Sequence, residues 1–192
     1  MVRFFVLLCL FGPFSFILAE GKSRLYLSGF DNCYFPNDVP APPKPLMWIA
    51  KLKVDRAING GYEHRIYEYH NHFELYLGCS GAYLQTWNSL VDEMFVGSTY
   101  LLARIYMIRR NGAELFFLYS PGGPSILSKN TFSTTKWTNQ FVFQNQFGVG
   151  VSLSRFPDLE FFIKQYHYSN CGFFPINGGV DIRLSLGVSL KI

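Results

Sequence analysis

His167-Tyr168-Ser169-Asn170 is where this sequence can do chemistry. Side chains alternate faces along a β-strand, so His167 and Ser169, two residues apart, share one face. An imidazole is thereby set beside a hydroxyl without help from distant parts of the chain. A serine is a weak nucleophile until a base removes its proton, and that base works best when a third group orients it. Asp181 can be the third group if it reaches across from the next strand. His-x-Ser also arises by chance on many surface strands, so the elements around it must decide.

Those elements alternate with period two over long segments. In 181–192 the even positions are Ile182, Leu184, Leu186, Val188, Leu190 and Ile192, and the odd ones run from Asp181 through Arg183 and Ser185 to Lys191. In 138–154 Phe141, Phe143, Phe147, Val149, Val151 and Leu153 oppose Gln140, Gln144, Gln146, Gly148, Gly150 and Ser152. Leu159, Phe161 and Ile163 oppose Glu160, Lys164 and Tyr166; Phe73, Leu75, Leu77 and Cys79 oppose Glu74, Tyr76, Gly78 and Ser80. Weaker alternation marks 22–30, 46–55, 98–109 and 113–128, giving eight strands. Turn signals lie at Pro40 to Pro45, Asn59-Gly60-Gly61, Arg110-Asn111-Gly112 and Asn177-Gly178-Gly179. The pattern predicts an all-β fold, an eight-stranded antiparallel up-and-down transmembrane β-barrel.

The alternation does not itself say which face points out. Gly78, Gly148, Gly150 and Gly187 fall on the polar face, and a narrow lumen needs small residues. The apolar faces run deep enough for an outward band of ~25 Å on tilted strands. We therefore expect Phe141, Phe143, Val149 and Leu186 outside, with Gln144, Gly148, Gly150 and Arg183 inside. Twenty Phe, twelve Tyr and only 16% charged residues fit aromatic girdles, in which Trp48, Trp87 and Trp137 are expected.

Residues 1–19 read as a cleaved signal, with Arg3 before the apolar run Phe4 to Leu18 and Ala19 at the cleavage point. Residues 20–192 then form a single barrel domain. The charge of +4 is scattered, without a basic run, which argues against nucleic acid as a partner. Cys33, Cys79 and Cys171 are an odd set without C-x-x-C spacing; a Cys33–Cys79 bridge is one arrangement they allow. Cys171 shares parity with Ser169 and reads as a small lipid-facing residue. His64, His70 and His72 are spaced across a turn and different faces, so neither a metal nor another cofactor is expected.

Over roughly 113–192 the chain resembles the outer-membrane lipid A 3-O-deacylases, the eight-stranded acyloxyhydrolase barrels. The resemblance rests on Gly122-Gly123-Pro124-Ser125, on Phe143-Gln144-Asn145-Gln146-Phe147-Gly148-Val149-Gly150, and on His167-Tyr168-Ser169-Asn170 followed by Asn177 and Gly179. It implies a serine esterase that removes an ester-linked acyl chain from lipid A, with lipopolysaccharide and the membrane as partners. It implies His167 as base and Ser169 as nucleophile, with the amides of Asn170 and Gly172 as the oxyanion hole. Asp181 stands where that family has a glutamate, one methylene longer. Homodimerisation is left open.

Parity sets a difficulty. Asp181 falls with Arg183 and Lys191 on the inward face, whereas His167 and Ser169 fall with Leu159, Phe161 and Ile163 on the outward one. A triad needs a bulge or irregular strand start, expected near Gly178-Gly179; otherwise Asp181 is a lumenal partner of Arg183. The competing functions are a catalytically inactive structural or lipid-binding barrel and a soluble exported lipid carrier with its faces inverted.

Overall fold

A computed structural model describes residues 22–31, 52–87, 91–110, 112–176 and 178–192, with backbone only at 52, 53 and 183. Its strands are β1 Ser23–Asp31, β2 Leu52–Lys53, β3 Arg56–Tyr69, β4 Phe73–Thr86, β5 Asp92–Arg110, β6 Ala113–Leu127, β7 Thr131–Phe132, β8 Thr135–Lys136, β9 Phe141–Leu153, β10 Phe156–Ser169 and β11 Val180–Lys191. Eight long strands, β1, β3, β4, β5, β6, β9, β10 and β11, each pair antiparallel with the next. β11 then pairs with β1, Val188 opposite Leu27, and closes the barrel. The short connections from β3 to β4, β5 to β6 and β9 to β10 define a lower rim, where β1 begins and β11 ends. The connections at 128–140 and 170–179 lie at the upper rim.

The apolar face points out. Leu27, Phe95 and Leu186 are 58%, 60% and 52% exposed, figures that a soluble carrier with a buried apolar face would not show. Phe141 and Val149 are outside as expected, and Gln144, Gly148 and Gly150 are inside. Lumenal glycines make room for rings. A Cβ on Gly78 would lie 2.4 Å from Tyr100, and one on Gly150 would lie 2.2 Å from Phe116.

The lumen has two halves. The lower half is ionic: the Arg104 guanidinium donates to both oxygens of Glu160 at 2.9 and 2.8 Å, and Arg65, Tyr76 and Tyr106 donate to Glu74. Lys164 donates to Glu63 at 3.1 Å. The upper half is apolar, with Phe30, Leu84, Met94, Val142, Tyr166, Val180 and Ile182 packed around Phe132 and Trp137. Phe132 and Trp137 belong to the β7–β8 hairpin and its exit, which folds down into the mouth. Trp137 is thus a plug residue, 1% exposed, and not part of an outer girdle. Trp87 is exposed at the upper end of β4 under the Arg56 guanidinium.

The strand count of eight holds, but the second strand differs. Of 46–55 only the two-residue β2 is strand among the described residues, and the wall strand is β3. Asn59-Gly60-Gly61 is not a turn but the middle of β3. A Cβ on Gly61 would come within 2.7 Å of the Tyr26 ring, so this glycine clears space for a lumenal tyrosine. Cys79 carries a free thiol. Cys171 is not on a strand: it sits exposed in the turn after β10, with φ 54°. Cys33, Trp48, Asn177 and residues 1–19 lie outside the described residues.

Candidate active site on the outer wall

The upper end of β10 is fixed from the lumen. Gln144 on β9 donates to Tyr168 Oη at 2.7 Å, and Tyr166 Oη lies 3.3 Å from Ser28 Oγ on β1. Both tyrosines are fully buried in the upper core. Because faces alternate, pinning Tyr166 and Tyr168 inward forces His167 and Ser169 outward. Their cross-strand partners on β9 are Asn145 and Phe143. Although they face outward, they are only 5% and 6% exposed. The Phe173 ring from the following loop leans on Phe143, with centroids 5.7 Å apart, and so roofs the Ser169 neighbourhood.

Asp181 is opposite His167 on β11, and its Oδ1 lies 2.6 Å from His167 Nδ1. The expected inward placement of Asp181 with Arg183 and Lys191 is therefore wrong, and the Arg183 side chain lies outside the described residues. Lys191 does point inward, with Nζ 3.5 Å from Glu160. The cause is a bulge: Lys164 pairs with Ser185 and Tyr166 with Ile182, so β11 advances three residues while β10 advances two. One extra residue flips every side chain beyond it to the other face. Below the bulge Leu186, Val188 and Leu190 face out, whereas above it Val180 and Ile182 are buried in the core. The bulge sits at 183–184, not at Gly178-Gly179. Gly178 packs instead against the β7–β8 hairpin, where a Cβ would lie 2.4 Å from Thr135. β2 pairs in parallel with the start of β11, Lys53 beside Asp181, and Val54 N donates to Asp181 O at 3.2 Å.

A second bulge flanks the site on the other side. Ser120 pairs with Gln146 but Gly123 with Gln144, which leaves an extra residue in β6 at Pro121-Gly122. The β9–β10 pair is therefore gripped between two strands that each reverse face at the level of the site. Asn145, between Phe143 and Phe147 on the outer face, stands between His167 and this second bulge. Sequence reading did not single it out. The signal was there, since Asn145 interrupts an otherwise apolar odd-numbered face.

The loop after Ser169 is organised by Asn170. Its Oδ1 accepts from Gly172 N at 3.0 Å, and its Nδ2 donates to Ile176 O at 2.9 Å and Phe174 O at 3.3 Å. The Gly172 amide is thus engaged by Asn170 in this conformation. No cluster of three or more His, Cys, Asp or Glu with metal-binding geometry occurs among the described residues.

With Asp181 accepting from Nδ1–H, Nε2 carries the lone pair of the neutral imidazole and is the nitrogen that can take a proton. Below the pair, the outer wall forms an apolar groove of about 710 Å³ lined by Leu27, Ile58, Val149, Phe161, Ile163 and Leu186 among others. Ile163 is two outward-facing positions below His167 on the same strand.

No protein-family model matches the chain, and no curated protein matches it by sequence. Among solved structures, the chain is similar to the crystal structure of the outer membrane enzyme PagL. The TM-score is 0.59 at 12% identity, over 88% of this chain and 99% of that one, so the likeness is one of fold.

Proposed function

We propose that this chain is an outer-membrane serine esterase that hydrolyses an ester-linked acyl chain of lipid A, and that residues 1–19 export it. The observation that carries this reading is the outward-facing His167–Asp181 pair at 2.6 Å, one alternate residue from Ser169 on a lipid-facing wall. Polar and ionisable groups on such a face are costly in hydrocarbon and point to function. The short turns of one rim and the longer connections of the other resemble the periplasmic and outer ends of exported barrels, which supports a site at the outer leaflet. The substrate's chains need not leave the bilayer to reach it, and the apolar groove below the pair offers them a track.

In the proposed reaction Ser169 Oγ attacks the ester carbonyl while His167 Nε2 takes its proton. Amides after Ser169, that of Asn170 first, hold the developing negative charge. The C–O bond to the sugar breaks and the leaving oxygen takes the proton from the imidazolium. Water, deprotonated by the same nitrogen, then attacks the acyl carbonyl; the bond to Ser169 Oγ breaks, Oγ takes the proton back from the imidazolium, and the fatty acid leaves. Asp181 fixes the tautomer and steadies the imidazolium.

The alternative, an inactive lipid-binding barrel, draws support from the engaged Gly172 amide, which removes one expected oxyanion donor. Mass profiling of lipid A from an outer membrane with and without the chain tests both. Loss of one ester-linked acyl chain is expected. An unchanged profile at full barrel abundance leaves the inactive reading.

A further inference from the structure

Asn145 is 8% exposed, and its Oδ1 is fully buried without a hydrogen-bond partner. Among the described residues seven other buried side-chain atoms share that condition, from Arg24, Asn59, Ser80, Arg104, Ser120, Trp137 and Ser189, but these belong to the lumen or the plug. Asn145 is the one on the outer face. There its outward-facing strand neighbours are Phe143 and Phe147, and a buried carbonyl oxygen left unmatched is destabilising.

The backbone that borders this oxygen carries no side chain. It belongs to the β6 bulge, where a Cβ on Gly122 would come to 3.4 Å from Oδ1. On its other flank Asn145 is the cross-strand partner of His167. Cβ atoms of such partners lie about 4.5–5.5 Å apart. A group bound at Asn145 is therefore within a few bonds of whatever carbonyl Ser169 attacks.

We propose that Asn145 is a substrate-reading residue: its Oδ1 accepts a hydrogen bond from a donor that flanks the scissile ester. An ester has no donor of its own, so the donor is a hydroxyl on the acyl chain or a hydroxyl or amide N–H on the neighbouring carbon of the alcohol. This rests on the esterase reading for its kinetic consequence but not for the binding itself. Gln165, half-buried on the same outward face one alternate residue below His167, extends the polar island toward the groove.

The test uses the refolded full-length barrel in detergent micelles and three synthetic esters of one chain length. One is a plain acyl ester of a deoxy sugar with no hydroxyl beside the ester oxygen, one adds a hydroxyl on the acyl β-carbon, and one adds an acetamido group beside the ester oxygen. Wild type should cleave one donor-bearing ester about tenfold faster than the plain one, as one hydrogen bond can supply. Which of the two is favoured identifies the source of the donor. In Asn145→Leu that ratio should fall to about one, a change that a packing defect would not produce because it slows all three esters alike. The second readout needs no turnover. In Ser169→Ala the Asn145 side-chain amide resonance, assigned by its loss in Asn145→Leu, should shift with the favoured ester and not with the plain one. A shift without hydrolysis in wild type keeps the subsite and discards the esterase. A ratio unchanged by Asn145→Leu, or no selective shift, overturns the proposal.

Discussion

Glu160 in the lower lumen and Asp181 at the upper outer wall are both carboxylates withdrawn from bulk water, but their surroundings differ. Both Glu160 oxygens are held by Arg104, with Arg24 at 3.3 Å and Lys191 at 3.5 Å also in reach. Asp181 has a single side-chain partner among the described residues, His167 Nδ1. A charge lattice whose carboxylates are saturated holds a wall together and has nothing left to offer a ligand. A carboxylate spent on one imidazole, with a serine and an unmatched carboxamide beside it, spends its interaction on orienting a base. The comparison predicts that damage to the first region shows in stability and damage to the second in turnover.

The largest effect should come from Ser169→Ala, which removes the nucleophile. Hydrolysis should fall by about a millionfold, with His167→Asn comparably severe because members of one catalytic unit fail together. Both variants should keep wild-type heat-modifiability on gels. Asp181→Asn should cost about 10⁴-fold in turnover, since the amide favours the wrong imidazole tautomer. Asp181→Glu should lower activity too. Asp181 already meets Nδ1 from directly across the ladder, so the extra methylene has no gap to fill.

Glu160→Gln should reverse the pattern. It leaves Arg104, Arg24 and Lys191 short of a countercharge, and breaking a buried ion pair costs about 3–5 kcal/mol. The unfolding midpoint in urea should drop while turnover per folded barrel stays near wild type. Turnover lost in step with stability would erase the distinction between the two regions. Cys171→Ala, in the exposed turn after β10, should change neither quantity measurably.

Much of this architecture was legible from alternation, because period two survives wherever a strand has one face on an apolar exterior and one in a packed lumen. The limit was the bulge. The even positions of 181–192 read as one unbroken apolar face, yet Ile182 lies in the core and Leu186 on the outer wall. Apolar residues suit both the upper lumen and the outer wall, so a face reversal between two apolar surroundings leaves no mark in the sequence. β6 reverses face too, but there Pro121-Gly122-Gly123-Pro124 signals the irregularity. β3 was missed for a different reason: glycines that clear space for Tyr26 look the same in sequence as glycines that turn a chain. His167 and Ser169 were legible from spacing, whereas the contact with Asp181 depends on a register that only the paired strands reveal.

The most direct measurement is covalent trapping. A long-chain fluorophosphonate, presented in micelles to the folded barrel, should phosphonylate Ser169 as fluoride leaves, and peptide mass spectrometry should find the adduct on the peptide carrying Ser169. His167→Asn should block the labelling, and loss of hydrolysis should track adduct formation. Inhibition with the label on another residue, or full hydrolysis by a barrel labelled at Ser169, would contradict the account of an outer-wall serine nucleophile.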